Sequence, residues 1–164
     1  MNRPETRNQK AGAAGERAPW SSRFGLRPNQ AQALAVMGSN FYQQGRHRSA
    51  ESFFRFLIAM DSRSHYGYAG VGAVALSGGR LDEALQYLRK AAGLEPNDPT
   101  VHANLGETLL RKAMFNEAAA EFETALRLDP TESDPGANRA RAVLKGMHMV
   151  LTEFRRTQAG LPVS

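Results

Sequence analysis

A period of 34 residues runs through the centre of this 164-residue chain. Displaced by that interval, Gly38 falls on Gly72 and Gly106, Ala50 on Ala84 and Ala118, and Phe54 on Leu88 and Phe122. Ala91 likewise falls on Ala125, and Pro96 on Pro130. Repetition at this length means a supersecondary unit that cannot bury its own apolar face and must stack against its neighbours. Within the third period, Leu105, Gly106 and Leu109 share one face of a first helix (A), and Ala118, Phe122 and Ala125 share one face of a second (B). Glycine on A and alanine on B let the two axes approach closely, with Phe122 filling the space beside the contact. Pro130 cannot continue helix B and is expected to end the unit, and Asn97 and Asp98 supply turn and cap chemistry before the third A helix.

The order small, small, bulky, small, Pro resembles the tetratricopeptide repeat, and the resemblance covers residues 31 to 130 as three repeats. The expected fold is all-α, a tetratricopeptide-repeat superhelix of three helix-turn-helix repeats with a C-terminal capping helix. Helices are predicted over 30–44, 47–60, 65–78, 81–94, 99–113 and 115–128, within a repeat domain spanning 29–134. Repeat 1 is the least regular: Leu57 stands where Ala91 and Ala125 stand, and Ser62 where Pro96 and Pro130 stand. Leu57 has two readings, the irregularity of a terminal repeat or a contact to a second subunit. Over 135–157, Ala140, Val143, Leu144, Met147, Val150, Leu151 and Phe154 form one apolar stripe, predicting a helix that covers the open end of repeat 3. Residues 158–164 read as a flexible C-terminus.

Residues 1–28 are basic and poor in large apolar groups, which predicts a largely disordered tail. Trp20, Phe24 and Leu26 interrupt that pattern and are either a docking segment over 20–26, packing on repeat 1 or on a second copy in a homodimer, or incidental aromatics in a mobile tail. The formal charge of +5 is carried by this tail and by residues 136–164, whereas 29–135 hold ten basic and thirteen acidic residues. A phosphate-binding groove needs the opposite distribution, so a nucleic-acid partner is not expected. The chain has no cysteine, which removes disulfides, thiolate zinc sites and cysteine nucleophiles and fits a cytoplasmic protein. No apolar run approaches the roughly 18 residues needed to cross a bilayer, so membrane insertion is not expected either.

Gly70, Gly72 and Ala75 match a weak dinucleotide-binding pattern, but the repeat register places them inside a helix, without the preceding strand that such a site requires. His47, His65, His102 and His148 include no pair at metal-ligand spacing. Glu117, Glu121 and Glu123 read as the outer face of a helix, and no serine sits in a nucleophile-elbow pattern. The expectation is a protein that is not an enzyme and needs no metal or cofactor.

The tetratricopeptide resemblance implies that the A helices line a concave surface. By register, that surface would present Gln32, Ala35, Ser39 and Tyr42 from repeat 1, Tyr66, Ala69, Ala73 and Leu76 from repeat 2, and Thr100, Ala103, Glu107 and Leu110 from repeat 3. These side chains suit an extended peptide client with apolar anchors. The basic residues with which some relatives clamp the acidic tails of heat-shock chaperones are missing from Ala35, Ser39, Thr100 and Ala103. A closer resemblance lies in Phe41-Tyr42-Gln43-Gln44-Gly45, in Ala50, Phe54, Leu57 and Asp61, and in Tyr68-Ala69-Gly70-Val71-Gly72-Ala73. This stretch is similar to the class II type III secretion chaperones of bacteria. That likeness implies a cytoplasmic protein that keeps hydrophobic secreted translocators soluble in its groove before export and that dimerises through its N-terminal part. The alternative is a general tetratricopeptide scaffold in a bacterial pilus, envelope or secretion assembly.

Overall fold

The computed structural model describes residues 27–158. Seven helices and no strand run through them: α1 Pro28–Gln43, α2 His47–Met60, α3 His65–Ser77, α4 Leu81–Leu94, α5 Pro99–Arg111, α6 Phe115–Leu128 and α7 Pro135–Gln158. The first six pair as three helix-turn-helix units, and every predicted boundary lies within two residues of the observed one.

The repeating glycines hold the pairs together by absence. A Cβ on Gly38 would lie 2.8 Å from the Phe54 ring, on Gly72 2.6 Å from Leu88 and on Gly106 2.5 Å from Phe122. Each bulky residue therefore sits where a side chain on the facing A helix would be. Each B helix is sealed in turn by the next A helix. Phe54 and Leu57 pack with Val71 and Val74 of α3, Leu88 and Ala91 with Val101 and Leu105 of α5, and Phe122 and Ala125 with Ala137 and Ala140 of α7. Leu57, only 1% exposed, is a core residue of this series. It is closed to a second subunit, because the larger side chain fills the space between α2 and α3. Trp20, Phe24 and Leu26 lie outside the described residues.

The turn inside each repeat also follows the period. Gly45 and Gly79 both have φ of 72°, and Ala113 takes the same left-handed place with φ of 59°. The amides that follow them reach back to close the helix end: Arg46 to the Phe41 carbonyl, Arg80 to Ala75 and Met114 to Leu109, each at 2.9 Å. A Cβ is strained in this conformation, and glycine is not. Ala113→Gly is expected to raise stability by up to about 1 kcal/mol, the relieved strain being partly offset by a freer unfolded chain. A urea midpoint that falls would show that Ala113 is not strained.

Helices α4 and α6 stop at Glu95 and Asp129, directly before Pro96 and Pro130, as the restriction that proline puts on the residue before it requires. Proline is not indispensable, however: α2 stops at the equivalent Asp61, although Ser62 replaces the proline there. There the Asp61 carboxylate accepts the Arg63 amide at 2.9 Å and turns the chain by itself.

Asp129, 4% exposed, organises the junction that aims α7. One oxygen accepts the amide and hydroxyl of Ser133 and the hydroxyl of Thr131, and the other accepts the Asp134 amide. Burial alone would raise its pKa, but these donors outweigh it and hold the carboxyl below its usual 3.8. With the folded-state pKa depressed, the contribution to stability is present at neutral pH and is lost as pH falls below about 4. Asp129→Ala should therefore melt below the wild type at pH 7, and the two should converge in acid. A gap that does not narrow at all as the pH is lowered would mean that the ionised carboxylate is not what matters.

Helix α7 caps repeat 3 over its first half only. Gly136 lets it approach α5 closely, since a Cβ there would lie 2.8 Å from Thr100 Cα, and Ala137 and Ala140 are buried with Val143 and Leu144 packed beside them. Beyond Met147 the expected stripe is bare: Val150 is 66% exposed, Leu151 53% and Phe154 61%. The helix simply outruns the body it packs on.

Candidate peptide-binding groove

Successive A helices touch one another, α1 with α3 and α3 with α5, and α7 continues the series against α5. Successive B helices make no such close approach. A stack crowded on one edge and splayed on the other curves with its A helices inward. Because those helices carry small residues on the inner face, the curve leaves space: a cavity of about 380 Å³ runs from α1 across α3 to α5 and the start of α7.

From α1 the cavity is lined by Ala35, Ser39 and Tyr42, from α3 by Tyr66, Ala69 and Ala73, and from α5 by Thr100. Tyr42 is held by a hydrogen bond between its hydroxyl and that of Ser77 and by the edge-on ring of His47. The Tyr66 ring lies tilted against that of His65, 3.8 Å between centroids. Gln32 borders an adjoining cavity of about the same volume, with Asn29 and Arg63, and Tyr66 lines both. The inner surface thus continues toward the N-terminal end of the stack.

Besides Gln32, four of the residues expected by register do not line the cavity. Leu76 and Ala103, each 4% exposed, are core residues of repeats 2 and 3. Leu110 packs on the repeat 3 core. Glu107 pairs with Arg111 at 2.5 Å, and Arg111 also donates to the Leu76 carbonyl at 3.2 Å. The apolar groove therefore narrows toward repeat 3, where α7 crowds α5. In exchange, Asn104 and the first turns of α7, through Pro135, Gly136 and Arg139, close that end of the cavity. These residues were legible in principle, since carrying the period one step beyond Gly106 lands on Ala140 and makes α7 a fourth A helix.

The other polar clusters are structural. On the B-helix surface Glu51 pairs with Arg55 and Arg80 at 2.8 Å each, and Arg55 reaches Glu83 at 2.7 Å. Burial raises the Glu51 pKa, but the two guanidinium partners outweigh it and lower it overall. Exposed pairs of this kind contribute little to stability. His102 bridges Glu121 at 2.6 Å and the Pro96 carbonyl at 2.9 Å, tying α5 to α6 and to the turn before it. Gly70 and Gly72 lie inside α3 and admit Phe54 and Leu88. Among the described residues no group of three or more side chains is arranged to hold a metal ion, and no helix is long and apolar enough to cross a membrane.

Sequence profiles of the tetratricopeptide repeat match residues 36–99 and 75–146, together most of the chain. The chain is a tetratricopeptide-repeat protein. Among solved structures this repeat protein is similar to the type III secretion translocator chaperone SycD of Yersinia enterocolitica, with a TM-score of 0.64 over 79% of this chain and 98% of that one, at 21% identity. It is similar also to PcrH, a protein of Pseudomonas aeruginosa, solved in complex with the chaperone-binding region of PopB. In that comparison the TM-score is 0.60 at 28% identity, over 72% of this chain and 97% of PcrH. Low calcium response locus protein H of Yersinia pestis is 25% identical over 120 residues, 72% of this chain and 71% of that protein. Of the longer curated relatives that its repeats match, the chain spans 10 to 40% of the length.

Proposed function

We propose that this tetratricopeptide-repeat protein is a non-catalytic chaperone of type III secretion that holds an apolar segment of a translocator in its concave cavity. The observation that carries the reading is a cavity lined by Ala35, Ala69 and Ala73 and flanked by Tyr42 and Tyr66, in a chain that covers 97% of PcrH, whose structure was solved with its PopB segment. Small residues make room for anchors, and aromatic walls cover them. Each fully buried aliphatic anchor is worth about 1.5–3 kcal/mol. A translocator segment so covered is kept from aggregating in the cytoplasm, where this reading places the protein. A homodimer fits the same reading, since SycD has been crystallised as alternative dimers.

Co-expression of the chain with PopB tests the reading. A soluble complex that co-purifies in stoichiometric amount is expected. PopB that remains insoluble with the chaperone folded beside it would count against a translocator client and would favour a scaffold role, in keeping with the large repeat proteins that these repeats also match.

A further inference from the structure

The second half of α7 carries large apolar side chains on a stretch that outruns the repeat body. Val150, Leu151 and Phe154 are all more than half exposed, and their spacing puts them on one face of the helix. That face continues the one which Ala140, Val143 and Leu144 turn against repeat 3, so its apolar character has a packing reason only as far as the body reaches. Beyond it, the last element of the stack keeps an apolar face where a polar one is the rule. Thr152 and Thr157 bond back to the His148 and Glu153 carbonyls, which satisfies their hydroxyls within the helix.

One edge of the stripe is basic. Arg141, Lys145, His148 and Arg155 follow one another along that flank at intervals of four, three and seven residues, and the last three are exposed. Lys145 and Arg155 have no ion pair among the described residues. The one acid of the stretch, Glu153, lies toward the other edge and faces Arg156 at 3.9 Å. Residues 136–164 hold five basic side chains to that one acid, whereas 29–135 hold ten basic and thirteen acidic. Positive charge and bare apolar surface therefore coincide on α7, at the end of a body that is itself mildly acidic.

We propose that the far half of α7 is a docking helix for an anionic lipid surface, with Val150, Leu151 and Phe154 set among the acyl chains and Arg155 beside the headgroups. An apolar stripe bordered by cations is what such a surface selects, through burial and electrostatic attraction together. The acidic body is held off by the same surface charge, which turns the bare end of the stack toward the lipid. A second copy is the poorer occupant, because a two-fold axis that lays two of these stripes together antiparallel brings the basic edges of both against each other. The helix lies on the surface and does not cross it, in keeping with its length and polarity. The inference stands apart from the client reading, since α7 borders the cavity through Pro135, Gly136 and Arg139, at its opposite end.

Flotation of the full-length protein with phosphatidylcholine vesicles, alone or mixed with an equal part of phosphatidylglycerol, tests this, with helicity and sedimentation recorded for each variant. The wild type should float with the mixed vesicles, less so as salt rises, and hardly at all with phosphatidylcholine alone. Leu151→Gln combined with Phe154→Gln, which keeps every charge, should partition at least about tenfold more weakly. Lys145→Glu combined with Arg155→Glu should lose the preference for anionic lipid. Phe56→Gln on α2, at a similarly exposed position, should float as the wild type does. Absence of flotation by the wild type overturns the inference and leaves the stripe to a protein partner. Equal flotation of the double Gln variant overturns it too, since charge elsewhere on the chain would then suffice. Self-association that the double Gln variant abolishes, with no binding to vesicles, would assign the stripe to a second copy and overturn it equally.

Discussion

Gly106→Leu is expected to cost about 3 kcal/mol of stability, a large share of what a domain of this size has to lose. The first added carbon would stand 2.5 Å from Cδ1 and Cε1 of Phe122. That ring is 1% exposed, walled by Leu109, Ala118, Ala125 and Ala137. A ring so enclosed can yield only by moving its neighbours. The helix itself would prefer leucine to glycine by somewhat less than 1 kcal/mol, far too little to compensate. Gly93 on α4 is the internal control, because a Cβ there meets nothing within 4 Å. Gly93→Ala should hold or raise the urea midpoint slightly through helix propensity alone. If Gly106→Leu and Gly93→Ala unfold together with the wild type, the close A–B contact assigned to the 34-residue register is wrong.

That register made most of the fold readable, because its signal is carried by residues whose smallness is needed for backbone approach. Gly38, Gly72 and Gly106 each face the bulky residue sixteen positions later, and no other arrangement asks for that pairing at a fixed interval. Side-chain direction near the ends of the stack was less legible. Leu57 looks anomalous beside Ala91 and Ala125, yet it is buried, since what fills a core layer depends on the volume left by residues of the next helix. Leu76 and Ala103 stand at groove positions by register and are core residues here, because Leu76 shares a core with Val101 and Leu105 of α5 and Ala103 with Ala137 and Ala140 of α7. The apolar stripe of α7 predicts one continuous contact, but a stripe says only which face is apolar and not how far the partner extends.

The second large effect concerns binding. Ala73→Glu should abolish client binding while the protein stays folded. Ala73 lines the cavity and is only partly buried, so the longer side chain enters the groove and leaves the A–B core alone. It would occupy the space of an apolar anchor and set a charge against what remains. Ala73→Trp fills the same space without charge and should act alike, which separates occlusion from electrostatics. Ala69→Glu should also block the groove, with some loss of stability, because Ala69 packs against the repeat 2 core as well. Phe56 on α2 is 50% exposed and lies outside the cavity, and Phe56→Glu should bind as the wild type does. Salt should matter little throughout, since burial of apolar anchors is not screened.

Titration of a fluorescent peptide carrying the chaperone-binding region of PopB against wild type, Ala73→Glu and Phe56→Glu, with helicity and melting recorded on the same samples, puts the concave cavity to the test most directly. Saturable binding to wild type and Phe56→Glu, with none to a folded Ala73→Glu, is the expected result. Equal binding by all three folded proteins would contradict it and would move the client site to the B-helix surface.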